Sequence, residues 1–316
     1  MIEIGIKTDS IQYRYSYPWL FDLMAETGLR YVQLGSFFEL YSLEDDYFYR
    51  LKEQAEQRGL RIKSVFTAYR ELGGFFSNDP YLEKAARRNY EKLIHVASLL
   101  EADYCGSNPG AVYRDQLGTK AAGVACYLKH LKELSHYAHE KGLKALTVEP
   151  MSCQAEPPTT EEEIRHMMQE MQQHHAQTSG TVPTYLCGDI SHGYINAQRE
   201  VVHTNLALLA YGIPYMAEFH FKNTDEHYLK TFGFSAEEQA SGIIDLAEIK
   251  AITDAGQWPV SEVVGYLEIP GPKLGRDHTD PLLRPQLKAS IRSIQQVFQS
   301  ASEHPTVSHS PQTQTT

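Results

Sequence analysis

Cationic charge is scarce in this chain: 29 Lys and Arg stand against 40 Asp and Glu, a formal net charge of −11 at pH 7. Broad attraction to nucleic acid or to an anionic membrane is therefore not expected, because both need clustered basic groups. Cysteine is also thin. Cys105, Cys126, Cys153 and Cys187 form no CxxC pair and no dense framework, which argues against a disulfide scaffold or a zinc ribbon and fits a reducing cytoplasm. No run of about 18 apolar residues occurs. The opening stretch, MIEIGIKTDS, has neither the basic region nor the long apolar segment of a secretory signal, so the expected location is cytoplasmic.

What the chain does have is size and alternation. With 316 residues, 42% of them hydrophobic, it can bury one large core but is long for an ordinary domain. Ile2, Ile4 and Ile6 alternate with Glu3 and Gly5 and read as a first strand. Further strands are expected at residues 31–34, 62–66, 102–107, 143–149, 184–189, 215–221 and 263–268. Between them lie helical patterns, opened by Ser16 with Pro18, by Asp79 with Pro80, and by Thr159 and Thr160 with Glu162 and Glu163. Helices are expected to run from Ser42 and Asp45 to Arg58, and over residues 81–100, 116–139, 201–211, 243–255 and 281–300. Eight strands alternating with helices and no dividing linker predict a single-domain α/β fold, a (β/α)8 TIM barrel over residues 1–300. The Ser/Thr/Gln/Pro-rich segment 301–316 is expected to be a disordered tail, since it has too little apolar surface to order itself.

In such barrels the C-terminal ends of the strands form one reactive rim. Strand five ends in Glu149 (LTVEP), strand six in Asp189 (CGDISHG), strand seven in His220 (AEFHFKNTD) and strand eight in Glu268 (GYLEIPGP). Taken singly, each has an ordinary alternative: a capping Asp, a core His, or a Glu paired with a barrel lysine. Together they would bring three carboxylates and an imidazole to one side of the rim. Carboxylates gathered without a cation repel and raise one another's pKa, so a divalent metal is the simplest compensation. Three oxygen ligands and one nitrogen favour Mn²⁺, with Mg²⁺ or Co²⁺ as alternatives, over a structural zinc site.

At these residues the chain resembles the xylose isomerase-like sugar isomerases and epimerases, and among them the ketose 3-epimerases of the tagatose/psicose type. The resemblance spans about residues 1–300 in strand order and is specific in these four segments. It implies that Glu149, Asp189, His220 and Glu268 bind one metal, that His192 faces the substrate, and that Glu156 is a second substrate-facing carboxylate. It also implies pairing of barrels into a homo-oligomer. Two positions depart from the family pattern: the Glu149 to Glu156 interval is one residue longer, and Asp225, Glu226 and His227 stand where the epimerases place an arginine.

The implied reaction is a metal-dependent isomerisation or epimerisation of a ketose or ketose phosphate through a cis-enediolate, with Glu149 and Glu268 as acid and base. Phe37 and Tyr69, with Trp19 and Phe38, are candidates to wall the pocket. Lys222, Lys273, Arg276 and His278 would bind a phosphate if they converge, and are otherwise solvated loop charges. The competing readings are a dehydratase of a keto-polyol and an endonuclease-IV-like phosphodiesterase on the same barrel. The second expects more histidines and a basic face. A barrel that only binds a ligand is disfavoured by the two glutamates.

Overall fold

The structure is a computed structural model, and it describes residues 2–35, 38–270 and 276–299. Eight strands, β1 (Ile2–Lys7), β2 (Tyr31–Leu34), β3 (Arg61–Thr67), β4 (Tyr104–Ser107), β5 (Ala145–Val148), β6 (Thr184–Asp189), β7 (Met216–Phe221) and β8 (Val263–Leu267), pair in parallel. They close into a barrel in the order β1-β8-β7-β6-β5-β4-β3-β2. Strands covered on both faces need apolar side chains on both, and every residue of β5, β7 and β8 is buried. Around them run α1 (Tyr17–Glu26), α2 (Asp45–Glu56), α3 (Pro80–Leu99), α4 (Lys120–Glu140), α5 (Glu161–Gln177), α6 (Asn205–Gly212), α7 (Leu246–Ala255) and α8 (Leu283–Phe298). None of the described helices is long and apolar enough to cross a membrane.

The helix starts follow local chemistry. Ser16 Oγ accepts the Trp19 N–H, Asp79 Oδ1 accepts Tyr81 and Leu82 N–H ahead of α3, and Thr160 Oγ1 accepts the Glu163 N–H. Each satisfies donors that have no partner inside the helix. Gly106 in β4 lies against the Thr147 carbonyl and hydroxyl of β5 so closely that no Cβ fits between them.

Several expected elements differ. Residues 201–203 are not helical: Val201–His203 pairs with Tyr194–Ile195 as a short antiparallel ribbon after β6, and α6 begins only at Asn205, where Thr204 caps it. The helix expected from Ser42 and Asp45 is α2, which begins at Asp45, and an unexpected short helix, Phe38–Ser42, precedes it across Leu43 and Glu44. A short helix, Ala236–Ser241, precedes α7 and opens on a reciprocal Ser235–Glu238 capping box. The tail 301–316, together with Phe37 and Lys273, lies outside the described residues.

Candidate metal centre and active-site pocket

Asp189 and His220 close β6 and β7 as register partners, and Glu149 and Glu268 follow the last residues of β5 and β8. The four come together: each offers one ligand atom, and these atoms all lie within 4.8 Å of one another. His220 is fully buried and directs Nδ1 at the carboxylates, 3.1 Å from Glu149 Oε1, 3.3 Å from Glu268 Oε2 and 3.9 Å from Asp189 Oδ2. Its Nε2 donates to Gln33 Oε1 at 2.8 Å. An amide oxygen only accepts, so this bond fixes the proton on Nε2 and leaves Nδ1 as the side that meets a cation.

Asp189 divides its oxygens in a similar way. Oδ1 accepts the Ser191 N–H at 2.8 Å and the Ser191 hydroxyl at 2.7 Å, which is the local reason for the tight turn after β6. Oδ2 takes the Lys222 ammonium, which also reaches Glu268 Oε2. Three carboxylates and one imidazole nitrogen converging on a point where an ammonium now stands fit a hard divalent cation.

Two lysines reach the same carboxylates. Lys222 donates to Glu268 Oε2 at 2.7 Å, and Lys7, at the end of β1, donates to Glu268 Oε1 at 2.5 Å and sits 3.0 Å from Asp9 Oδ2. Burial works against every charge here, and mutual attraction outweighs it for most. Despite burial, His220, Lys222 and Lys7 hold the Glu268 carboxyl well below the usual range. His192 and Lys222 lower Asp189. Lys7 and Lys222 stay firmly protonated because Asp9, Asp189 and Glu268 surround them. Burial likewise opposes charge on His220, but Glu268 and Glu149 hold its pKa above the ordinary value. Asp9 is the exception, pushed up to about 6 by burial even with Lys7 beside it.

The cage opens into a pocket of about 320 Å³ lined by Glu149, Glu268, His192, Lys222, Tyr69 and Glu156, among others. His192 donates from Nδ1 to the Pro150 carbonyl at 2.7 Å, which leaves Nε2 3.4 Å from Asp189 Oδ2 at the edge of the cage. Glu156 accepts from Arg114 at 3.0 Å. Not every expected residue arrives. Arg276 and His278 are exposed and line no part of this pocket, while Lys222 is engaged by the carboxylates, so the described residues assemble no phosphate site from this set. Trp19 stacks on Tyr15 at 4.1 Å instead of walling the pocket. Phe38 is 57% exposed and belongs to a neighbouring cavity.

Lys7, Asp9 and Gln33 were not anticipated. All stand at or just beyond the ends of β1 and β2, so the strand-end rule applied to the first half of the rim would have found them. Below the cage, Gln33 donates weakly to Ser64, and Ser64 and Thr147 both donate to Glu218 Oε1 at 3.0 Å, forming a polar floor. A second mixed-donor group, Glu83, Cys126 and His130, joins α3 to α4. There His130 Nε2 bonds Glu83 at 2.6 Å and Arg87 donates to Nδ1 at 3.4 Å, so both ring nitrogens are taken.

No curated protein is similar enough in sequence to match. Among solved structures, a protein assigned as a xylose isomerase from Rhodospirillum rubrum superposes with a TM-score of 0.74 at 17% identity, covering 94% of this chain and 99% of that one. A D-psicose 3-epimerase from Clostridium cellulolyticum, solved with D-tagatose, gives 0.69 at 16% identity, covering 94% and 99%. A Bacillus anthracis protein assigned as a 3-DHS dehydratase gives 0.64 at 13%, covering 93% and 98%. At these identities the likeness concerns the fold. The sequence profile of one family, however, matches residues 21–264. The chain belongs to the xylose isomerase-like TIM barrel family.

Proposed function

We propose that this protein is a metal-dependent isomerase or epimerase of a ketose, working by proton transfer next to the carbonyl. The observation that carries the reading is the convergence of Glu149, Asp189, His220 and Glu268 at the mouth of a polar pocket. A divalent ion held by these four, Mn²⁺ in preference to Mg²⁺ or Co²⁺ on ligand chemistry, would polarise a ketose carbonyl and acidify the adjoining C–H. Glu149 and Glu268 belong to strands separated by β6 and β7 and reach the cage from different sides. One accepts the proton at carbon and the other returns one from the opposite direction. Lys7, donating to Glu268 Oε1, keeps that carboxylate oriented and charged before it takes a proton. With its Nδ1 proton committed to the Pro150 carbonyl, His192 offers Nε2 as an acceptor for a substrate hydroxyl, and Tyr69 and Glu156 bound the pocket that keeps bulk water from the enediolate.

A dehydratase acting through the same enediolate is the second reading, supported by the fold shared with the Bacillus anthracis protein. The phosphodiesterase reading is weaker, because the four-residue cage holds a single histidine. Incubating metal-free and Mn²⁺-reconstituted protein with ketoses in D₂O separates these. Metal-dependent deuterium incorporation beside the carbonyl is expected, with loss of water from the substrate marking the dehydratase. Glu149→Gln and Glu268→Gln should each slow exchange by at least about 10²-fold. Near-normal exchange in either variant would refute the two-glutamate shuttle.

A further inference from the structure

Asn108 follows the last residue of β4 as Glu149 follows the last residue of β5, and the residues before them, Ser107 and Val148, are register partners. Neighbouring strands run about 4.8 Å apart, so Asn108 is the next position along the rim from Glu149, on the side away from Asp189. Both side chains line the pocket above the cage. Asn108 is only 3% exposed, and that pocket is the opening it borders.

The two ends of its amide are used differently. Oδ1 accepts the Tyr69 N–H at 2.9 Å. A peptide N–H only donates, so this contact fixes which end of the amide is oxygen and turns the NH₂ group the other way. The Ser107 hydroxyl, donating to the Asn108 carbonyl at 2.8 Å, pins the backbone as well. Nδ2 meets no acceptor among the described residues, yet it is not one of the sealed unpaired atoms: it keeps accessible surface. Other donors of the pocket are already engaged. The Lys7 and Lys222 ammonium groups serve Glu268, and His192 Nδ1 serves the Pro150 carbonyl. Buried amides are almost always paired at both ends, so an oriented NH₂ group that is accessible and uncommitted beside a pocket is placed for a ligand oxygen. Being neutral, it can stand next to Glu149 without depressing that carboxylate's proton affinity, as another ammonium would.

We propose that Asn108 is a specificity-determining residue whose NH₂ group donates to a substrate hydroxyl, the one on the carbon next to the exchanging carbon and farther from the carbonyl. The proposal rests on the ketose reading above. Glu149 stands at the exchanging carbon, and Asn108, one strand over, reads the next oxygen outward. The sugar chain then leaves the cage toward the β3 and β4 side of the rim, past Asn108 and Tyr69. A ketose without that hydroxyl leaves the NH₂ group unmatched, and the loss falls on that compound alone.

The test pairs L-erythrulose with 1,3-dihydroxybutan-2-one of the same configuration, which is L-erythrulose without its O4, on the Mn²⁺-reconstituted full chain. Calorimetry reads Kd, and deuterium incorporation reads kcat/KM. The native protein should favour L-erythrulose by about 3–10-fold, the effect of one neutral hydrogen bond. In Asn108→Ala and Asn108→Leu, each checked for native melting, the ratio should fall close to unity, as a double-mutant cycle across a direct contact requires. A purely structural role would weaken both compounds alike and leave the ratio where it was; that result, or a native ratio near one, would overturn the proposal. An Asn108-dependent ratio in Kd without exchange would leave the contact standing and remove the isomerase reading. Exchange on both compounds with no Asn108-dependent ratio would do the reverse, and neither binding nor exchange of either compound would remove both.

Discussion

Replacing Gln33 by Leu removes one acceptor and nothing charged, so it probes how much of the metal centre depends on the orientation of a single ring. In the native protein the Gln33 Oε1 contact, at 2.8 Å, holds the His220 proton on Nε2. In Gln33→Leu the Nε2–H has only the Cys187 sulfur at 3.4 Å, a weak acceptor, and the ring is fully buried with no access to water. An unpaired buried donor costs about 1–3 kcal/mol, which the ring can avoid by moving its proton to Nδ1 or by rotating. Either change takes the free lone pair away from the cage. Loss of such an outer contact to a ligating histidine weakens metal affinity about 10–100-fold, or roughly 1.4–2.7 kcal/mol. Titrating the metal-free protein with Mn²⁺ and following the free ion by electron paramagnetic resonance gives Kd directly. Gln33→Leu should shift it by that factor, while Gln33→Glu, which keeps an acceptor at the same place, should recover most of the loss. A Gln33→Leu protein that melts normally and binds Mn²⁺ with unchanged Kd would refute the argument that Gln33 sets the ring.

The His220 pKa is held above its ordinary value of 6.5 by Glu268 and Glu149 despite burial, so the proton stabilises the metal-free fold fully below pH 6.5 and less as pH rises through the higher folded value. Metal needs the unprotonated Nδ1. The increase in Tm produced by a fixed Mn²⁺ concentration should therefore grow from pH 6 to pH 8, and an increment that is flat or falls over this range would contradict it. In the barrel wall, Gly106→Ala forces a methyl group into the Thr147 backbone, and should lower stability by about 1–3 kcal/mol or more in urea unfolding; an unchanged midpoint would show that β4 and β5 can part locally.

The second half of the rim was legible because its side chains break the local pattern. Glu149, Asp189, His220 and Glu268 each end an apolar strand, where burial makes a polar residue conspicuous. Lys7 and Gln33 end β1 and β2 in the same way but were passed over, because a lysine or glutamine at a strand end has no metal chemistry of its own. Their importance comes from reach across the barrel: Lys7 to Glu268 and Gln33 to His220 join residues 261 and 187 positions apart. The Val201–His203 ribbon reads as helix in the sequence because Val201 and Val202 lie just ahead of the apolar run of α6; the polar break at His203, Thr204 and Asn205 is the boundary, with Thr204 as the cap.

The placement of Lys222 against Asp189 and Glu268 has a consequence for how the protein is assembled in time. A cage of carboxylates alone would resist closing until a cation arrived, making the barrel's completion wait on metal supply. With the Lys7 and Lys222 ammonium groups already among its acids, closure of the barrel does not depend on a metal ion to offset these carboxylates.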